Sequence, residues 1–233
     1  PRALPAGPRR TQGVRTEMKS MRLASLRLIS IVVALTLLAG CSVLGNGKQR
    51  DPVTIYAPQV KVTPDPSWPS VTWQLAVAKP TAARVVDSPR IAVRPAPGEL
   101  QVYKSVTWSQ PSTDLIEATV LRALEDSGKI PAVARAGSGI RADYRLIMDL
   151  RRYESDYAGN AVPSATIELT AKLLHTSEQR IVASRTFLQV EPAAGVEVAQ
   201  VATAFDTALE KLGGEVVGWV LTTGEADARR SKR

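Results

Sequence analysis

The sequence contains one cysteine, one histidine and few aromatic residues, which make up 5% of its 233 positions. Cys41 has no second thiol with which to form an intramolecular disulfide, so the stability of any folded domain must come from packing alone. A zinc site would lack the sulfur and imidazole ligands that zinc prefers, because His175 is the only histidine. We therefore expect no metal and no other cofactor.

The charge of the chain does not indicate a nucleic-acid partner. The formal net charge is +8, but from Cys41 onward 23 Lys and Arg face 21 Asp and Glu, and residues 41–224 carry 19 of each. A nucleic-acid interface typically has a basic stripe with interleaved aromatic residues, and neither is present in this pattern. We expect no nucleic acid to bind.

A basic segment and a short apolar run precede the cysteine. Residues 28–40 read LISIVVALTLLAG, about 13 residues where a membrane-spanning helix needs roughly 20. The basic residues before the run are Lys19, Arg22 and Arg27. This arrangement predicts a signal peptide over residues 18–40, starting at Met18 or Met21. Residues 1–17 are interpreted as upstream translation or disorder.

The end of the apolar run, Leu38-Ala39-Gly40-Cys41, resembles the lipobox of bacterial lipoproteins. In a lipobox, small residues fit the peptidase and the cysteine thiolate attacks the acyl donor. We predict signal cleavage between Gly40 and Cys41 and lipid attachment at Cys41. Ser42 stands where an aspartate would usually mark retention in the inner membrane. The anchor is therefore predicted to lie on the periplasmic face of the outer membrane.

Composition divides the rest of the chain into a tether, a domain and a tail. Residues 41–70 are rich in Gly, Pro, Ser and Lys and are predicted to form a lipidated, flexible tether. Within it, residues 53–56 have strand character and could dock on the domain edge, although Pro58 cannot donate a ladder hydrogen bond. Residues 71–224 are long enough for one core. Residues 225–233 are predicted to be a charged, disordered tail.

Apolar periodicity predicts the elements of the domain. Alternation indicates strands over residues 71–77, 90–94, 100–103, 130–134, 143–151, 165–173 and 182–190. A helix is predicted between Pro111 and Gly128, with Asp114 and Glu117 at capping-box spacing. A last helix over residues 198–220 contains Gly213-Gly214, which indicates either a weak solvent-facing point or a close helix contact. The order predicts a single α+β domain, a largely antiparallel sheet with two helices packed on one face.

Few titratable groups converge in this pattern, which argues against an enzyme, and we predict no catalytic residue. His175 lies at a strand-to-turn junction, where a solvated histidine is more common than a general base. Gly137-Ser138-Gly139 lacks the further glycines and the Lys-Ser/Thr pair of a phosphate loop. The remaining candidates, for an ion-binding site or equally for a charged, solvent-facing sheet surface, are Arg151, Arg152, Asp149, Glu154 and Asp156.

Four segments carry a family resemblance: VTWQLAVAKP, SPRIAVRP, GELQVYKSVTWSQPSTDLIEATVLRALEDSG and ADYRLIMDLRRYES. They resemble the auxiliary lipoproteins of ABC-type transport systems, especially those paired with MCE-domain lipid transporters. The resemblance covers about residues 53–220. Its specific parts are Arg90-Ile91, Tyr103, Trp108, Ser127-Gly128 and Ala142-Asp143-Tyr144.

The resemblance implies a fold position for two residues and a function for the chain. Trp108 would pack where the third predicted strand meets the first helix, and Tyr103 would lie on the sheet. The protein would be a lipid-anchored, non-catalytic subunit that contacts an MCE-domain protein, with an ABC permease and an ATPase driving lipid across the periplasm. An outer-membrane assembly or cell-wall-synthesis accessory lipoprotein is the alternative, and a homo-oligomer is compatible with both.

Overall fold

The computed structural model describes residues 52–231, in which five strands, a helix, four strands and a second helix follow one another. The strands are β1 (Thr54–Tyr56), β2 (Gln74–Val77), β3 (Thr81–Ala82), β4 (Arg90–Arg94), β5 (Gln101–Trp108), β6 (Ala132–Arg135), β7 (Tyr144–Asp156), β8 (Ser164–His175) and β9 (Arg180–Pro192). The helices are α1 (Ser112–Ser127) and α2 (Val198–Ser231). The predicted α+β class is confirmed.

β7 organises the sheet. One of its edges pairs antiparallel with β8 along its whole length, and β8 pairs antiparallel with β9. Its other edge pairs in turn with three short parallel strands: β2 at residues 144–146, β3 at 149–150 and β4 at 154–156. β5, β1 and β6 extend the sheet further. Because antiparallel pairing joins the long strands, the sheet is largely antiparallel, as predicted.

Both helices pack on one face of this sheet. In β8 the odd positions from Ala165 to Leu173 are fully buried beneath them. The apolar stripe of α2 that covers the sheet consists of Val201, Phe205, Leu209, Leu212, Val216 and Val220, all buried. We call the opposite face of the sheet, which neither helix covers, the open face.

Trp108 links the sheet to the helices at the end of β5, shortly before α1 begins. Its ring meets Tyr153 edge-to-face at 5.9 Å and Phe205 of α2 at 5.2 Å. Tyr153 and Phe205 stack on each other with their centroids 4.7 Å apart. Each such aromatic pair adds about 0.5–1.5 kcal/mol beyond area burial. The position implied for Trp108 is confirmed, as is that of Tyr103, which lies in β5.

α1 has the predicted ends but not the predicted capping box. The carboxylate of Asp114 pairs with Lys79 at 2.7 Å, and that of Glu117 pairs with Arg135 at 3.1 Å. No side chain caps the first turn. The capping-box prediction was wrong because neighbouring strands and loops bring cations to both carboxylates. Gly128 closes the helix in the left-handed region, with φ of 61°, as its residue type favours.

α2 continues unbroken through Gly213-Gly214. A β-carbon on Gly213 would lie 2.8 Å from Val62 and 3.1 Å from Thr119 of α1, and one on Gly224 would lie 2.4 Å from the ring of Trp73. These glycines therefore mark close contacts rather than a weak point. No helix within residues 52–231 is long and apolar enough to cross a membrane.

The folded part begins earlier than residue 71. β1 pairs with β5, and the N–H of Ser109 donates to the carbonyl of Tyr56 at 2.8 Å. The strand ends before Pro58, so the missing N–H of the proline removes no ladder bond. Val62 is buried against α2. The later part of the predicted tether thus belongs to the domain, while residues 41–51 and the predicted signal peptide lie outside the described residues.

The folded part also ends later than residue 224, because Asp227 fastens the end of α2 to the sheet. Its carboxylate, 1% exposed, accepts hydrogen bonds from the hydroxyl of Tyr144 at 3.1 Å and from the guanidinium of Arg180 at 2.8 and 3.0 Å. Burial alone would raise the pKa of Asp227, but the hydrogen bonds outweigh it and lower the pKa below its ordinary value. Residues 225–231 are therefore helical, which corrects the prediction of a disordered tail.

Gly224→Ala is expected to destabilise the protein, although alanine normally favours a helix over glycine by about 1 kcal/mol. The new methyl group would overlap the buried ring of Trp73, and we expect a loss of about 1–3 kcal/mol in the free energy of unfolding. Gly214→Ala is the matched control, because its β-carbon would meet only Val62 at 3.7 Å and should stabilise the helix. Urea unfolding measures both. Equal stability of the two variants would contradict this packing.

Candidate functional site

Glu154 is the most deeply buried charged group on the open face. Its side chain, 3% exposed, accepts two hydrogen bonds at 2.9 Å from the guanidinium of Arg94 in β4. It accepts a third, at 2.7 Å, from Nε of Arg152. Arg152 also pairs with Asp156. Two guanidinium groups and two carboxylates thus form one cluster with no net charge, which we call the Glu154 cluster.

A bulge in β7 positions the Glu154 cluster. Regular alternation after Leu150 would turn Glu154 toward the helices, where a charge is costly to bury. The register shift between Leu150 and Arg152 instead places Tyr153 in the core and Glu154 on the open face. The parallel pairing of β4 with the end of β7 then brings Arg94 beside it. Re-aiming a side chain in this way is a common use of a β-bulge.

The electrostatics of the Glu154 cluster favour binding and positioning over proton transfer. The hydrogen bond to Glu154 raises the pKa of Arg94 above its ordinary value. Burial would lower the pKa of Arg152, but its hydrogen bonds to Glu154 and Asp156 raise it. Arginine stays protonated at physiological pH. Three N–H donors from two arginines hold the Glu154 carboxylate in place.

The structure brings only some of the predicted ion-site residues together. Arg152, Glu154 and Asp156 belong to the Glu154 cluster, whereas Arg151 and Asp149 form a separate, half-exposed pair at 3.7 Å. This second pair borders a hollow of about 250 Å³ on the open face. No group of three or more carboxylate, histidine or cysteine side chains within residues 52–231 is arranged to hold a metal.

His175 and the Gly137-Ser138-Gly139 turn lie away from the cluster. The ring of His175 packs edge-on against Tyr144 at 5.0 Å, and its Nδ1 accepts a hydrogen bond from the N–H of Glu178 at 3.4 Å. Gly137 and Gly139 have φ of 92° and 86° in an exposed turn between β6 and β7. Gly40 and Cys41, the predicted processing residues, lie outside the described residues.

The sequence pattern does not single out Arg94, which lies 60 positions before its partner Glu154. Its strand was predicted, but the parallel pairing of β4 with β7 depends on tertiary packing. One signal was available for Glu154. The large side chain of Tyr153 interrupts the even-numbered alternation of β7 and indicates the bulge.

Glu154→Gln is expected to destabilise the protein by about 1–3 kcal/mol, because it leaves two partly buried guanidinium groups without their shared counter-charge. The loss stays within this range because the arginine side chains are about 30% exposed and water screens their charges. Asp149→Asn, in the half-exposed pair, is the control and should change stability by less than about 0.5 kcal/mol. Thermal and urea unfolding measure both variants. A Glu154→Gln variant no less stable than the control would show that the cluster adds no net stability.

Comparison of the sequence with known families and proteins identifies its relatives. The family described as "ABC-type transport auxiliary lipoprotein component" matches residues 54–217, from β1 into α2. An uncharacterised protein of Bradyrhizobium diazoefficiens is 27% identical over 173 residues, which cover 71% of this chain. The chain spans about half of that relative's length, 46%.

Solved structures share the fold. A crystal structure of a Xanthomonas campestris protein, described under the family DUF330, is 60% identical, covers 76% of this chain and 99% of its own, and superposes with a TM-score of 0.74. The crystal structure of an uncharacterised protein, 9% identical, covers 72% and 97% of the two chains with a TM-score of 0.55 and shows the fold alone. Since the family match covers well over half of the sequence, the chain belongs to the family of ABC-type transport auxiliary lipoprotein components.

Proposed function

We propose that the protein is a lipid-anchored, non-catalytic component of an ABC-type system that moves lipids across the periplasm together with an MCE-domain protein. The observation that carries this proposal is the family match over residues 54–217. The assignment of a lipid as the transported molecule and of an MCE-domain protein as the partner rests on the four sequence segments, which resemble auxiliary lipoproteins of MCE-domain lipid transporters. Family membership supports a role in transport, and the finer assignment is the hypothesis to be tested.

The anchor in this proposal is Cys41. The signal peptide over residues 18–40 is removed after Gly40, and the new N-terminal cysteine carries the lipid. Ser42 directs the protein to the outer membrane, where the domain lies on the periplasmic face. The match to a lipoprotein family and the small residues before Cys41 support this assignment.

A non-catalytic role agrees with the chemistry of the described residues. The carboxylates of the Glu154 cluster are bound to guanidinium groups, and His175 is engaged by its own turn. The family description as an auxiliary component supports the same view. In this proposal the domain contributes binding surfaces, and the permease and ATPase of the system supply the energy.

Cys41→Ser is expected to release the protein from the membrane without unfolding it, because the described domain begins at residue 52. Wild-type protein should float with outer-membrane fractions in a density gradient and carry acyl chains detectable by mass spectrometry. The variant should be soluble and carry none. Wild-type protein found only in inner-membrane fractions would contradict the proposed location. Acylated Cys41→Ser protein would contradict the proposed attachment site.

Purification of the lipidated protein in mild detergent tests the proposed partners. We expect an MCE-domain protein and its ATPase to copurify in stoichiometric amounts, as identified by mass spectrometry. Lipidated protein from cells lacking that MCE-domain protein is the matched control and should lose the ATPase as well. Stoichiometric recovery of a penicillin-binding protein or a barrel-assembly protein instead would favour the alternative function.

A further inference from the structure

Charges without an ion-pair partner are divided between the two sides of the domain. Strand register places four exposed cations on the open face that form no ion pair within residues 52–231: Arg90, Lys104, Arg145 and Lys172. The carboxylates that the strands contribute to that face, by contrast, all lie in ion pairs with arginines: Asp149, Glu154, Asp156 and Glu168. The uncompensated charge of the strands on the open face is therefore positive.

The helical side has the opposite balance. Four exposed carboxylates of α1 and α2 form no ion pair within the described part of the chain: Glu125, Asp126, Asp206 and Glu210. Among the cations of the two helices within residues 52–231, only Arg122 forms no ion pair. Although residues 41–224 are near-neutral in total, the charges without an ion-pair partner are mainly basic on the sheet strands of the open face and mainly acidic on the helices. Such a charge distribution orients a protein in the field of a charged surface.

The open face also carries exposed apolar side chains. Ile55 of β1 is 63% exposed, and Leu188 and Val190 of β9 are each 54% exposed. Val102 of β5 lies on the same face and is 39% exposed. Leu188 and Val190 are neighbours on β9, whereas Ile55 and Val102 lie toward the other edge of the sheet. Scattered apolar side chains among flexible cations suit a soft, charged surface better than a shaped protein partner.

The position of β1 relates the open face to the proposed anchor. Ten residues lie between Cys41 and Pro52, so a fully extended chain from one to the other spans about 40 Å at most. This chain enters the domain at β1, the strand that contributes Ile55 to the open face. Because β1 is paired with β5, residues 53–70 cannot lengthen the tether. A lipid on Cys41 would therefore hold this edge of the sheet near the bilayer.

From this geometry we infer that the open face lies on an anionic phospholipid surface when the protein is anchored, with the acidic helices turned away from the membrane. The inference rests on the proposed attachment at Cys41. Each Lys or Arg close to an anionic leaflet favours contact by roughly five-fold, so four of them favour it by roughly 600-fold. That preference is enough to orient a domain that a lipid already holds nearby.

Site-directed labelling of the mature, lipidated protein in vesicles tests this orientation. Cys41 is the only cysteine and its thiol is acylated, so Leu188→Cys on the open face and Glu210→Cys on α2 each provide one reactive thiol. A nitroxide attached to each reports its accessibility to a water-soluble relaxation agent. Vesicles of phosphatidylcholine, with and without 30% phosphatidylglycerol, provide the anionic and neutral surfaces.

We expect the label at position 188 to be shielded at least ten-fold in the anionic vesicles and to stay accessible in the neutral ones. The label at position 210 should stay accessible in both. Salt at 0.5 M should remove the shielding, because it shortens the range of the attraction. A label at position 188 that stays accessible in anionic vesicles, or a shielded label at position 210, would overturn the inference.

Charge reversal identifies the residues responsible. Lys172→Glu on the open face should weaken the shielding at position 188 by roughly 25-fold, since it replaces an attraction with a repulsion. Arg122→Glu on α1 is the matched control and should leave the shielding unchanged. Both residues are exposed, so unfolding midpoints should match the wild type. Equal shielding in the two variants would overturn the role of the cations.

Failure of the anchor and failure of the orientation give different results. If the protein carries no acyl chain by mass spectrometry and does not float with neutral vesicles, the proposed attachment at Cys41 fails. If it floats with both kinds of vesicle while position 188 stays accessible, only the orientation fails. The salt experiment uses protein without charge substitutions and does not depend on the folding of those variants.

Discussion

The packing of α2 is the interaction on which the rest of this structure depends. Its apolar stripe covers the long strands β7 and β8, whose buried apolar side chains otherwise would face water. Its glycines allow the segment around Val62 and Trp73 to approach the helix backbone closely. Because one helix contacts both the sheet and the start of the domain, these parts are expected to lose stability together.

The other side of the sheet is governed by compensation of charge rather than by apolar burial. Glu154 lies under two guanidinium groups, and the bulge before it prevents the same carboxylate from entering the core. Every carboxylate within the strands of this face lies in an ion pair, but several of its cations do not. The excess charge is therefore carried by side chains with free, mobile ends, such as Lys104 and Lys172, which suits reversible contact with an anionic surface.

Much of the fold could be predicted from sequence because its signals are local. Alternation located the long strands, and Pro111 and Gly128 marked the ends of α1. Pairing in three dimensions could not be read in this way. Composition made residues 53–70 look like a tether, yet β1 and Val62 are held by distant partners. Asp227 lies in a charged segment whose composition predicts a disordered tail, and its burial depends on Tyr144 and Arg180, which are distant in sequence. The predictions at Cys41 concern residues that the structure does not describe.

The contact between the two ends of the domain sets the order in which the chain can fold. A chain that emerges N-terminus first presents Val62 and Trp73 well over a hundred residues before the glycines of α2 that contact them. Such long-range contacts form slowly, because a large loop must close before they contribute. Val62 and Trp73 therefore stay without these partners until synthesis is nearly finished. The core of such a protein is completed only when its last helix is available to pack against the early segments.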